Sequence, residues 1–252
     1  MVGNRYRGYW VIALAGVWGW LAAPDLRAGI ITFASVNQVN VSTNDYSYTN
    51  NGTSATFSST ISIPVSLTVD PTVAANSGLP TTQFAAHLTL TSSTVSPAVP
   101  AGPSYVESFP TTTNQIVITL DAPPVAGKND FLTVQYSDLL SGQLGSDQVS
   151  LSASDLVNGL TPPDFVQFTS DYINFTNSTE HGLSFTFSSV DSADGGGLEL
   201  NSNGFFNSFT ASGVGSFDTE FKSVPEPATI MLLGIGGVGL LWRRRMLRSK
   251  MS

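Results

Sequence analysis

The most regular pattern in the chain is the alternation Ile61-Ser62-Ile63-Pro64-Val65-Ser66-Leu67-Thr68-Val69. Ile61, Ile63, Val65, Leu67 and Val69 fall on one side, and Pro64 and the polar residues on the other. A period of two puts successive side chains on opposite faces of an extended chain, so the stretch reads as a strand with one face buried. Pro64 has no amide proton to give, which points to an edge or a bulge. Shorter stretches of strand character recur at 30–33, 36–41, 55–57, 84–90, 116–120, 131–136, 149–153, 165–168, 172–175, 183–187, 198–200, 205–210 and 216–221. Turn residues separate them, among them Asn50-Asn51-Gly52, Asn76-Ser77-Gly78, Gly127-Lys128-Asn129-Asp130, Asp194-Gly195-Gly196-Gly197 and Asn203-Gly204. The Pro-rich stretches 95–110 and 161–163 read as connections, and nothing between 29 and 221 carries an apolar stripe at helical spacing. Many short strands with frequent turns predict an all-β body: a single antiparallel β-sandwich of jelly-roll type over residues 29–221.

The two ends break this pattern. Arg5 and Arg7 precede an unbroken apolar run over 10–23, which Pro24 stops before Leu26-Arg27-Ala28. A basic start, an apolar middle and a small residue before a cut are the three parts of a secretory signal peptide, here 1–28 with cleavage after Ala28. At the other end Pro225-Glu226-Pro227 leads into an apolar run that reaches Trp242 and meets Arg243, Arg244 and Arg245. The prolines keep a helix from extending backward, so it starts near Ala228. From Ala228 to Trp242 there are 15 residues, or roughly 22 Å of helix. A bilayer core is about 30 Å thick, so this transmembrane helix is short for a permanent span. Trp242 at the headgroups and snorkelling arginines extend its reach, and the basic end stays on the cytoplasmic side.

Val224-Pro225-Glu226-Pro227, the Gly-rich apolar span and the arginine cluster, in that order, resemble the PEP-CTERM sorting signal of Gram-negative bacteria. The resemblance is confined to the tail, with the signal placed at 224–248. It implies recognition and cutting by a membrane transpeptidase of the exosortase type. Val224, Pro225, Glu226 and Pro227 would form the recognised motif, and Arg243, Arg244 and Arg245 the stop. It also implies transit through the inner membrane, then release or attachment at the cell surface, often beside exopolysaccharide. Some ice-binding proteins carry this kind of tail. A plain C-terminal anchor is the alternative, against which stand the short span and the adjacent Pro-Glu-Pro. Gly234-x-Gly236-x-x-Gly239 matches a dinucleotide fingerprint in letters alone, since only a short basic end follows where a βαβ unit is needed.

With both ends set aside, the charge picture changes. Lys128 and Lys222 are the basic residues left between 29 and 223, against 16 acids, a net charge of −14. Such a surface repels nucleic acid and anionic lipid. There is no cysteine, so disulfides and thiolate metal sites are excluded.

Candidate chemistry is sparse. His87 falls in a strand and His181 before Gly182 in a turn, neither in a zinc-binding context, and there is no G-x-S-x-G elbow. All four tryptophans lie in the end segments, which weighs against a sugar-binding cleft. Glu199-x-Asn201-x-Asn203-Gly204 has the opening spacing of a calcium loop, but Thr210 stands where its closing Glu belongs, so a hairpin turn explains it better. Asp191 and Asp194 beside three glycines are a weaker calcium candidate. We assign no metal ligands, catalytic residues or cofactor. The expected function is a non-enzymatic surface or matrix protein; the alternatives are a secreted hydrolase acting on polysaccharide through paired carboxylates, and an ice-binding protein.

Overall fold

In the computed structural model the alternating stretch is a strand over Ile63–Val69, with Ile63, Val65, Leu67 and Val69 buried and Pro64 and Ser66 exposed. The described residues are 29–155, 165–192 and 195–221. The expected signal peptide with its cut after Ala28, the motif Val224, Pro225, Glu226 and Pro227, the apolar span and Arg243, Arg244 and Arg245 lie outside them. Among the described residues no helix is long and apolar enough to cross a membrane.

In chain order the strands are β1 (Ile31–Gln38), β2 (Tyr46–Asn50), β3 (Ala55–Ser59), β4 (Ile63–Val69), β5 (Gln83–Thr94), β6 (Val99–Ala101), β7 (Ser104–Leu120), β8 (Asp130–Gly142), β9 (Val149–Ser154), β10 (Phe165–Thr169), β11 (Ser178–Ser192) and β12 (Phe209–Phe221). One short helix, α1 (Pro71–Asn76), joins β4 to β5. All named strand pairs are antiparallel.

The pairings run in a circuit. β12 pairs β1 along one half and β2 along the other. β1 pairs β4, β2 pairs β3, and both β4 and β3 pair β5. From β5 the ladder continues through β7, β8, β9 and β11 back to β12. One hydrogen-bonded sheet thus returns to its own first strand, as in a barrel. The two separate facing sheets expected of a jelly-roll sandwich are not seen in the pairing. β10 extends the free flank of β8, and β6 hangs on the outer part of β7.

Alternate residues of each strand fill the interior. Phe33, Val36, Leu88, Leu90, Ile116, Ile118, Leu132, Val134, Leu151, Phe185, Phe187 and Phe217 are all buried. Aromatic rings dominate in two groups. Phe33 meets Phe168, Phe175 and Phe217 at one end. Tyr46, Phe57, Phe187 and Phe209 interlock further along.

Several sequence expectations are corrected. Pro64 is the second residue of β4, flanked by β1 and β5, not on an edge strand or at a bulge. Its carbonyl accepts the Val39 amide just past the end of β1, so the missing N–H falls where the ladder stops. The stretch 95–110, read as a connection, contains β6 and the start of β7, turning at Gly102, whose φ of 65° is in the left-handed region. Pro100 is tolerated there because β6 pairs on one side only. Residues 172–175, read as a strand, form an irregular loop. α1 is too short to show a stripe, but Asp70 caps it by accepting the amides of Thr72 and Val73, and Pro71 occupies its first turn.

The largest extension concerns β12. The strand stretches suggested by the sequence end at 210 and resume at 216, leaving Ala211-Ser212-Gly213-Val214-Gly215 between them. The strand runs straight through. Gly213 faces Phe187 and Gly215 faces Phe185 across the ladder. A Cβ at Gly215 would lie 2.4 Å from the Phe185 ring, and one at Gly213 would lie 2.6 Å from the Phe187 ring. The rings occupy the space that side chains on β12 would take.

Candidate functional site

At one end of the sheet β9 and β11 finish side by side. Gly182 pairs Ser154 and Leu183 pairs Ala153, which brings His181 opposite Asp155. The Asp155 amide donates to the His181 carbonyl, and the Asp155 carboxylate takes both the His181 amide, through Oδ1, and the ring, with Oδ2 2.8 Å from Nδ1. A carboxylate only accepts, so the proton on this side of the imidazole sits on Nδ1. The other ring nitrogen, Nε2, lies 2.8 Å from Ser178 Oγ. The order carboxylate, imidazole, hydroxyl is complete.

A strand defect makes this possible. Residues three apart in a regular strand point to opposite faces, so Ser178 and His181 should not meet. On β12, however, Ser178 pairs Phe221 and His181 pairs Thr219. Thr179 and Glu180 therefore stand opposite Glu220 alone, as in a β-bulge. The extra residue shifts the phase and turns Ser178 and His181 to the same side. Sequence reading placed His181 in a turn and had no spacing signal for the group; the structure places it inside β11.

The surroundings are partly aromatic and partly wet. The rings of Phe168 and Phe175 approach the imidazole edge-on, at centroid distances of 4.9 Å and 6.2 Å. An open depression of about 530 Å³ lies beside His181, walled by Phe168, Tyr172 and Phe175 together with Ser170 and Asn174. Ser178 is half-buried at its margin, bonded to two of the lining residues: to His181, and to Phe175, whose carbonyl lies 2.6 Å from Oγ. Its single proton serves one acceptor at a time.

A second polar group is sealed inside. Glu107 on β7 is fully buried, and Tyr48 donates into it at 2.7 Å and 2.8 Å from its two oxygens. Burial pushes the Glu107 carboxyl up to about 7, while the Tyr48 hydrogen bond pulls the other way. Burial and the neighbouring carboxylate hold Tyr48 neutral far above the usual phenol range. Beyond Tyr48, the Phe206 amide is the further contact to this carboxyl, at 3.5 Å.

The other expected candidates resolve simply. His87 lies in β5 and meets Asp121 at 2.5 Å on the surface. Leu200 bridges Phe206, and the intervening segment is a turn. Asn201 Oδ1 accepts the amides of Asn203 and Phe205 at 2.9 Å and 3.0 Å, and Gly204 has a φ of 84°. The oxygen that would bind calcium is therefore spent on the turn. Asp194 lies outside the described residues, and among those described no cluster of three metal-binding side chains is found.

Comparison with known proteins adds one match. The family model for the PEP-CTERM protein-sorting motif fits residues 223–245. No curated protein and no solved structure matches the chain.

Proposed function

We propose that this chain, whose tail carries the PEP-CTERM protein-sorting motif, is an exported surface or extracellular-matrix protein of a Gram-negative bacterium. The match at 223–245 carries that reading. The motif implies handling by an exosortase-type membrane enzyme and membrane transit before the surface is reached. We take the signal peptide at 1–28, the brief membrane stay of the tail and a final place near exopolysaccharide as parts of the same proposal.

On the first of two readings the body delivered this way is non-enzymatic. Its interior is filled by aromatic and aliphatic side chains, its surface is acidic, and it lacks tryptophan. Changing Glu226 to Ala tests the sorting step. The variant is expected to accumulate at full length in the membrane fraction, while the parent is processed. Equal processing of the two would leave a plain anchor in its place.

A second reading, a secreted hydrolase, is favoured by one observation: the Asp155–His181–Ser178 chain, whose His181 lines a depression. That chemistry differs from polysaccharide cleavage by paired carboxylates. Sorting is common to both readings. The ice-binding alternative called for a threonine lattice on parallel strands, and the named strand pairs are antiparallel.

A further inference from the structure

We infer that Ser178, His181 and Asp155 form an acyl-transfer site that hydrolyses small, uncharged carboxylic esters, with Ser178 as the nucleophile. The inference deepens the hydrolase reading and rests on it. Three independent features of the geometry support it.

The first is the sequence of bonds. Asp155 Oδ2 holds Nδ1 at 2.8 Å, and Nε2 stands 2.8 Å from the Ser178 hydroxyl. Binding of both the His181 amide and its ring by one carboxylate fixes the tautomer and the ring plane together. A base must be oriented in this way to take a proton from a neighbouring hydroxyl.

The second is the bulge. Strand pairing alone is satisfied without it; the register break at Thr179 and Glu180 brings Ser178 round to the imidazole. Bulges that re-aim a side chain are over-represented beside active sites.

The third is the neighbouring space. The depression offers the half-buried rings of Tyr172 and Phe175 for an apolar acyl group, and Ser170 and Asn174 for a polar alcohol. Asp171 in the same wall and the acidic body disfavour anionic esters.

The reaction needs ester and water alone. Ser178 Oγ bonds to the ester carbonyl carbon as its proton passes to His181 Nε2. The tetrahedral intermediate collapses, the carbon–oxygen bond to the alcohol breaks, and that alcohol leaves with the proton from Nε2. Water then gives a proton to Nε2 and its oxygen to the acyl carbon. The second collapse releases the carboxylic acid and returns the proton to Ser178. Asp155 is a positioning residue throughout: it touches neither ester nor water and acts through the imidazole.

The test uses the full chain purified in detergent, p-nitrophenyl butyrate as substrate, and a fluorophosphonate probe. An activated serine displaces fluoride from the probe and keeps the phosphonyl group. We expect ester turnover, together with probe mass on the peptide that contains Ser178. Ser178→Ala should lose labelling and at least about 100-fold in turnover, with its melting temperature held to within a few degrees. The exposed Ser184, on the same strand, provides the control variant Ser184→Ala, expected to behave as the parent. Asp155→Asn should lower kcat roughly 10³-fold or more with KM unchanged; a purely structural strap would move the melting temperature and leave that split alone. Labelling is read on the unmodified chain, so it stands even if a variant fails to fold. Turnover retained in Ser178→Ala, or probe found on another residue, overturns this site and leaves a hydrolase elsewhere on the chain. Absence of both turnover and labelling in the parent overturns the site and the hydrolase reading together.

Discussion

Tyr48 and Glu107 face each other inside the closed sheet, from β2 and β7, with the phenol proton shared between the two carboxyl oxygens at 2.7 Å and 2.8 Å. The Phe206 amide adds a long contact of 3.5 Å. This is little compensation for a buried carboxylate, which is why the group binds its proton up to about pH 7 instead of the ordinary 4.5. Between those two values the folded chain holds a proton that the unfolded chain has lost. Stability from this group is therefore complete below 4.5, falls as pH rises towards 7, and stays low above it. The size is roughly 3 kcal/mol across the window. Glu107→Gln keeps an acceptor for Tyr48 and carries no titrating proton. Chemical denaturation from pH 4 to 8 should show a decline for the parent and a flatter profile for the variant; parallel profiles would remove Glu107 as the cause.

Gly215 pairs with Phe185 in a contact that leaves no room for a methyl group. Gly215→Ala should cost about 1–3 kcal/mol through ring displacement. In a domain of this size that is a fall of about 2–4 °C in melting temperature per kcal/mol. The cost should shrink when Phe185 is first changed to Leu, because the two positions share one space. Equal losses in both backgrounds would remove the Phe185 ring as the cause.

Asn201 serves the turn before β12 from both ends of its amide. Its oxygen takes two backbone amides, and its nitrogen reaches Asn50 Oδ1 at 3.0 Å. Asn201→Ala should destabilise by about 1–2 kcal/mol, and Asn201→Asp by less, since the two acceptor bonds survive. Calorimetric titration with calcium is expected to give no heat that depends on Asn201. A calcium response abolished by Asn201→Ala would return the segment to the class of metal loops.

Intact mass of the mature protein from its native cell reports both ends at once. The expected product begins at Gly29 and lacks the apolar span after Pro227. A product beginning at Met1 removes the signal peptide reading, and one that retains the whole tail removes sorting.

The strands are legible where their own residues carry the period, except that Ile61, which shares the alternation of β4, lies outside that strand and is exposed. Ile63 to Val69 buries alternate positions as its letters alternate. Leu183, Phe185 and Phe187 likewise point inward. What remained hidden depended on partners far along the chain. Gly213 and Gly215 resemble a strand break until Phe187 and Phe185 are placed against them. β2 is absent from the strands the sequence suggests, although Tyr46 and Tyr48 alternate with Ser47 and Thr49 and are buried. The return of β12 to β1 joins positions about 180 residues apart, which no local pattern encodes. The grouping of Ser178 with His181 was hidden more thoroughly: their spacing argues against contact until a bulge reverses the phase. The tail differed because its meaning is local, and the family match covers the stretch whose letters carried it.

The pairing of Ile31 with Thr219 sets a timetable. On the proposed export through an N-terminal signal peptide, β1 emerges first, yet one of that strand's two neighbours arrives last. β12 ends at Phe221, and the matched motif begins at residue 223. The body's last seam can therefore be sewn only as the motif itself comes to the membrane. Maturation of the cargo and delivery of its address label thus fall at nearly the same moment, and a strand order that closed earlier would separate the two.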